Sequence, residues 1–196
     1  MEVARGAEEQ HPLQRPALFL DRDGTINGDR PDYVKSLAEF HFLPGAFAAM
    51  KRLAALELPL IIVTNQSQIG QGITPEHVIR EINDYLVREI EAHGGRITDI
   101  YVCPHAPWEG CDCRKPKPGL LLQASEEHQL DLSRSYMVGD RVSDAAAAMA
   151  AGCRCVFISP GMSPPAEVVS MNPEVIVRDL VEASEYLEQV IGSMSL

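Results

Sequence analysis

Short apolar runs, each cut off by a polar, turn-forming loop, recur along this chain and constrain its fold more than any other feature. ALFL at 17–20 stops at DRDGT, and LPLIIV at 58–63 stops at TNQSQIGQG. Runs this short, with no polar alternation, are what strands buried on both faces require. ITDIYV (97–102), SYMV (135–138), CRCVFI (153–158) and EVIV (174–177) repeat the pattern. Helical periodicity fills the gaps. Residues 45–57 carry Phe47, Met50, Leu53, Ala54 and Leu56 at helical spacing, and 75–93 put Val78, Ile79, Ile82, Tyr85, Leu86 and Ile90 on one face. Thr74 is the expected N-cap of the latter, Pro75 its first residue and Gly94 its exit. Further helices are expected over 118–128, in the alanine-rich stretch opened by GDRVSD, and over 179–190. The alternation predicts an α/β fold: a doubly wound, Rossmann-like parallel sheet with helices on both faces. Such sheets bind ligands beyond the carboxyl ends of their strands. The loops after the first, second and fourth strands, and a cysteine-rich stretch after the third, fall at those ends.

Length and composition narrow the class. At 196 residues the chain suits one well-buried domain over 17–196, with 1–16 as a poorly ordered leader. Apolar residues at 45% and charged residues at 23% are those of an ordinary globular protein. The formal charge of −11 disfavours nucleic acid and anionic lipid as partners, so a phosphorylated ligand has to be met by a local cluster of positive groups. No run approaches the roughly 18 apolar residues of a membrane span and none has signal-peptide form; a cytoplasmic monomer is expected. Five unevenly spaced cysteines argue against a disulfide framework there. The stretch 161–172 reads as a loop without assignable chemistry.

Five places carry chemistry. Asp21 and Asp23, two apart at a strand end, can point the same way and invite a cation, although Asp, Gly and Thr are also common turn formers. Asp140 and Asp144 share one face if a helix has begun, or are an N-cap and a solvated acid. Thr64 offers a hydroxyl at the end of the second strand, where threonine is also an ordinary turn residue. Lys115 sits in a proline-bounded segment and is either functional or free surface charge. Within eleven positions, CPHAPWEGCDC supplies Cys103, His105, Cys111 and Cys113. A Cys3His set closes a tetrahedral zinc with no position open for water, hence a structural site. A redox pair of Cys111 and Cys113, or incidental loop cysteines, are the other readings. Cys153 and Cys155, in an apolar strand, read as core.

DRDGT, VTNQS, a lysine and GDRVSD, in that order and at those places, resemble the four motifs of the haloacid dehalogenase (HAD) superfamily of phosphatases over residues 17 to about 160. The resemblance implies that Asp21 is a nucleophile forming an aspartyl phosphate and that Asp23 is its general acid and base. It implies magnesium held by Asp21, Asp23 through its backbone carbonyl, and Asp140. Thr64 and Lys115 then clamp the transferring group, with Asp144 in support. Members often carry a cap domain, but the 40 residues between Asp23 and Thr64 and the 50 between Thr64 and Lys115 leave no room for a large one. A capless enzyme is expected. C-P-H followed by C-x-C-R-K-P resembles the branch of heptose 1,7-bisphosphate phosphatases and histidinol phosphatases. It implies zinc in the loop 103–113 and a small sugar phosphate, with heptose 1,7-bisphosphate first, as substrate, met by Asn27, Asp29, Tyr33, Asn65, Gln66, Ser67, Arg114 and Arg141. Histidinol phosphate is the alternative substrate; a phospho-receiver and a zinc-mediated binding module are the noncatalytic alternatives.

Overall fold

A computed structural model describes residues 14–193. Six parallel strands form one sheet: β1 (Leu18–Leu20), β2 (Leu60–Asn65), β3 (Asp99–Cys103), β4 (Tyr136–Gly139), β5 (Arg154–Ile158) and β6 (Val175–Val177), in the order β3-β2-β1-β4-β5-β6. β1 is central, with Leu18 beside Leu60 on one side and Tyr136 on the other. The order reverses direction between β1 and β4, which makes the crevice at their carboxyl ends the ligand-binding position of a doubly wound sheet.

The period-two alternation of the strands divides the core in two. Leu18, Leu20, Leu60, Ile62, Tyr136, Val138, Val156 and Ile158 face one side. There they meet α1 (Ala46–Ala54), α2 (Glu76–Ala92) and α6 (Leu180–Gly192) through Met50, Leu53, Ile82, Leu86, Ala183 and Leu187. Phe19, Ile61, Val63, Met137, Cys155 and Phe157 face the other, against α3 (Gly119–His128), α4 (Val142–Ala151) and α5 (Ala166–Ser170). Strands buried on both faces have no polar alternation to display, as the sequence pattern demanded. Truncating one of these side chains, Leu53 for example, costs about 2–5 kcal/mol.

The expected elements are present, with three local differences. Helix α2 begins at Glu76: Pro75 is its N-cap, extended at ψ 144°, with no side-chain cap. The Thr74 hydroxyl is instead buried without a hydrogen-bond partner among the described residues. The stretch 161–172 contains α5, whose one apolar anchor, Val168, is fully buried; a helix this short between prolines has too few turns to show a period. Of the expected leader, 1–13 lies outside the described residues, whereas Arg15 is already tied in, its carbonyl accepting the Asp131 N–H at 3.0 Å. Between β1 and β2 the chain holds a loop over 21–45 with one 3-10 turn (Leu37–Glu39) and then α1, and between β2 and Lys115 it holds α2, β3 and a 3-10 turn (Pro107–Glu109), so no cap domain interrupts the fold. Among the described residues no helix is long and apolar enough to cross a membrane.

Candidate active site

Asp21 leaves the carboxyl end of β1, its N–H bonded to the Val138 carbonyl of β4 at 2.9 Å. Asp140 leaves the end of β4, and Asp144 lies in the first turn of α4. Parallel register between β1 and β4 therefore brings together carboxylates more than a hundred residues apart in sequence. One oxygen from each of Asp21, Asp140 and Asp144 falls within a common 4.8 Å. Two glycines permit the approach. Gly24 has φ +90°, and a Cβ there would lie 2.2 Å from Asp140 Oδ2; a Cβ on Gly139 would lie 2.5 Å from Asp144 Cβ.

Lys115 reaches into this cluster. Its ammonium lies 2.7 Å from Asp21 Oδ1, 2.6 Å from Asp144 Oδ1 and 2.7 Å from the Val63 carbonyl. Burial pushes the ammonium down, but Asp144 and Asp21 outweigh it and hold Lys115 above the usual lysine range. Asp144 serves two elements at once, since its Oδ2 accepts the Arg141 N–H at 3.0 Å at the start of α4. Burial, opposed by Lys115 and reinforced by Asp144, pushes the Asp21 carboxyl up to about 7. Burial and Asp144 raise Asp140 to about 6. Buried acids crowded this closely fit a hard divalent cation, whose charge keeps them ionised and whose preferred ligands are oxygens.

Asp23 is held differently. Arg22, fully buried, donates to both its oxygens, at 3.0 and 2.9 Å from Nη2. Asn27 Nδ2 donates to Oδ1 at 2.8 Å and Gln66 Nε2 to Oδ2 at 2.6 Å. Arg22 is itself fixed by Asn83 of α2 and by Gln66 Oε1, both at 2.9 Å. Sequence reading passed over Arg22 and Asn83. The available signal was an arginine wedged between two carboxylates directly after a buried strand, a place where a charge has to be paired.

A cavity of about 380 Å3 opens above these groups, lined among others by Asp21, Asp23, Thr64, Lys115, Arg114 and Arg141. Of the other expected substrate contacts, Asp29, Tyr33, Asn65 and Ser67 line it too, while Asn27 and Gln66 are almost completely buried behind Asp23. Gln66 also donates to Thr64 Oγ1 at 2.7 Å. Arg141 pairs with Asp29 at 2.5 Å across the rim. Tyr33, at φ 68°, receives hydrogen bonds from Gln71 at 2.8 Å and Ser67 at 3.4 Å. Arg114 Nη1 is buried with no hydrogen-bond partner among the described residues.

Beside the cavity, Cys103, His105, Cys111 and Cys113 converge. The Cys103 and Cys111 sulfurs are 3.7 Å apart, Cys111 and Cys113 3.5 Å, and His105 Nδ1 lies 3.7 and 3.2 Å from Cys103 and Cys113. A tetrahedral zinc with metal–sulfur bonds of about 2.3 Å spaces its sulfurs about 3.8 Å apart, so the four side chains have the dimensions of a metal-holding knot. Burial and the adjacent Cys103 and Cys111 push the Cys113 thiol up to about 12, while at Cys111 burial is outweighed by hydrogen bonds from Cys113 and the Arg114 backbone, which lower the thiol. Cys153 and Cys155 are buried in the core, as expected.

The geometry has counterparts of known kind. The HAD-hydrolase-like family model matches residues 112–183. The D-glycero-beta-D-manno-heptose-1,7-bisphosphate 7-phosphatase of Pseudomonas aeruginosa is 40% identical over 149 residues, covering 76% of this chain and 84% of that protein. The Escherichia coli K12 enzyme of the same name is 41% identical, covering 69% and 74%. The crystal structure of the D,D-heptose 1,7-bisphosphate phosphatase of B. bronchiseptica, complexed with magnesium and phosphate, superposes with a TM-score of 0.79 at 31% identity, covering 89% of this chain and 98% of that one. With this site on this sheet, and relatives that similar over most of both chains, the protein belongs to the HAD-like phosphatases, in the family of the D-glycero-beta-D-manno-heptose-1,7-bisphosphate 7-phosphatases.

Proposed function

We propose that this phosphatase removes the 7-phosphate of D-glycero-D-manno-heptose 1,7-bisphosphate through a phospho-enzyme on Asp21. The observation that carries the reading is the Asp21 carboxylate, placed at the floor of the cavity with the Lys115 ammonium at 2.7 Å and Asp140 beside it. An Asp21 oxygen attacks phosphorus in line with the ester oxygen, forming the acyl phosphate as the bond to the sugar oxygen breaks. Asp23 delivers a proton to that oxygen, then takes one from the water that attacks phosphorus and frees Asp21. The Lys115 ammonium neutralises charge on the phosphoryl oxygens, the Thr64 hydroxyl donates a hydrogen bond to them, and Asp144 holds Lys115 in place. Magnesium, held by Asp21, Asp140 and the Asp23 carbonyl, supplies charge neutralisation of the phosphoryl group when bound. Arg114 and Arg141, with Asp29, Tyr33 and Ser67, face the sugar and its second phosphate. Zinc in the knot of Cys103, His105, Cys111 and Cys113 has a structural role, fixing the segment that carries Arg114 and Lys115.

The test is phosphate release with magnesium from heptose 1,7-bisphosphate and from histidinol phosphate. A higher kcat/KM on the bisphosphate, with heptose 1-phosphate as product, is expected; preference for histidinol phosphate overturns the substrate. Asp21→Asn is expected to abolish turnover in a folded protein, and retained activity overturns the mechanism.

A further inference from the structure

Lys115 makes demands that its own segment does not meet. Residues 111–118 form neither strand nor helix, so the backbone there has no ladder to join. Yet the residue is 3% exposed and its side chain has to deliver its ammonium to Asp21. Asn65, the last residue of β2, supplies what is missing. Its Nδ2 donates to the Lys115 carbonyl at 3.0 Å, and its Oδ1 accepts the Lys115 N–H at 3.1 Å. Two bonds to the N–H and C=O of one residue reproduce the exchange between paired strand residues. They also fix which way the amide points, because a backbone N–H only donates and a carbonyl only accepts. Asn65 is at the same time in register with Cys103, the first residue of the metal knot, at the end of β3.

We propose that Asn65 is a positioning residue that acts through Lys115, tying the lysine main chain to the sheet so that the knot, through Cys113, and the strand end, through Asn65, hold it from two sides. The inference rests on the role given to Lys115 above. It differs from the expectation that Asn65 reads the substrate: the amide still has one N–H and one lone pair free beside the cavity it lines, and that direct contact is the competing reading. The two readings separate in the kinetics. A contact made equally in ground and transition state alters KM, whereas misplacement of the neutralising ammonium alters kcat.

The experiment uses the full chain loaded with zinc and magnesium, heptose 1,7-bisphosphate as substrate, and metal analysis of each variant. Asn65→Ala is expected to lower kcat by about 10–100-fold, with KM within about twofold of wild type and zinc content unchanged. Asn65→Asp, which keeps the acceptor for the Lys115 N–H and loses the donor to its carbonyl, is expected to fall between. In a Lys115→Met background, Asn65→Ala is expected to add nothing, since the group it positions is gone. A raised KM with kcat preserved, an unchanged kcat, or a further loss in the Lys115→Met background each overturns the proposal. Should Asn65→Ala not fold, Asn65→Asp is judged by the same criteria. Full activity of Lys115→Met defeats the role of the lysine itself; a slow Lys115→Met beside an unaffected Asn65→Ala defeats only the present inference.

Discussion

Replacing Lys115 by Met keeps the length and apolar stem of the side chain and removes its charge. The ammonium lies 2.7 Å from Asp21 and 2.6 Å from Asp144, with all three side chains nearly or fully buried. At an effective dielectric constant of about 20, each contact is worth about 6 kcal/mol of Coulomb attraction before desolvation. Removing one partner of a buried pair costs a net of about 3–5 kcal/mol, because the remaining carboxylates stay buried. For a chain of this size that is a fall in Tm of roughly 6–20 °C. The loss depends on pH, and its sign follows from Asp21. Burial raises this carboxyl to about 7 in the folded protein, from about 3.8 when unfolded. The folded state therefore holds the proton more tightly between those values, and the stability of metal-free protein falls as pH rises through that window. Lys115 opposes the shift, so its removal drives Asp21 higher still. Below pH 6 the variant carries a neutral Asp21; at pH 8 the Asp21 charge too is left without its cation. Thermal melts of metal-free wild type and variant are expected to differ far more at pH 8 than at pH 5.5, and magnesium is expected to return part of the loss at pH 8. Phosphate release is expected to drop on the order of 100- to 1,000-fold, the usual cost of losing one donor to the developing charge. Equal destabilisation at both pH values refutes the electrostatic argument, and undiminished turnover refutes the placement of Lys115 on the phosphoryl group.

Gly24→Ala puts a methyl group 2.2 Å from Asp140 Oδ2 on a residue at φ +90°. It is expected to cost at least about 1–2 kcal/mol in backbone strain and to raise the magnesium concentration needed for half-maximal activity; an unchanged metal requirement contradicts the close approach of Asp140. Cys113→Ser is expected to lower zinc content, Tm and kcat together, because the knot and Lys115 are two residues apart. Full activity in a zinc-free protein would overturn the structural role given to the knot.

The architecture was legible because its causes are local. Apolar runs such as ALFL have no stable place except inside a parallel sheet, and the loops that end them carry acids too expensive to bury without a purpose. The clustering of Cys103, His105, Cys111 and Cys113 was legible for a similar reason, since all four lie within one loop. What escaped depends on contacts between distant segments. Arg22 bonds to Asn83 on α2 and to Gln66 after β2, and nothing in DRDGT says which way its arginine turns. Asn27 and Gln66 were grouped with the substrate contacts through their neighbours in sequence, yet both spend their amides on Asp23. The Thr74 cap failed for a local reason: Pro75 already satisfies the geometry of helix entry without a side-chain bond.

The placement of charge explains how a protein of net charge −11 can receive an anion. Four carboxylates, Asp21, Asp23, Asp140 and Asp144, converge on the crevice, and two buried cations answer them: Lys115 between Asp21 and Asp144, and Arg22 on Asp23. At pH 8 the floor is thus left with two unanswered negative charges, the charge that one divalent cation neutralises. At the rim Arg141 is already paired with Asp29 and Arg30 with Asp32, so among the described residues lining the cavity Arg114 is the guanidinium without an ion-pair partner and left to meet a phosphate. A phosphate approaching the metal-free floor therefore meets repulsion that Arg114 alone has to overcome, whereas with magnesium bound it meets a neutral floor and a positive rim. Titration calorimetry with inorganic phosphate at pH 8 is expected to show binding in magnesium and none with a chelator present. The magnesium-dependent component is expected to weaken toward pH 5.5, as the Asp21 and Asp140 carboxyls, raised to about 7 and about 6, take up protons in place of the cation. Equal phosphate affinity with and without magnesium at pH 8 would mean that the rim, rather than the metal on the floor, supplies the attraction.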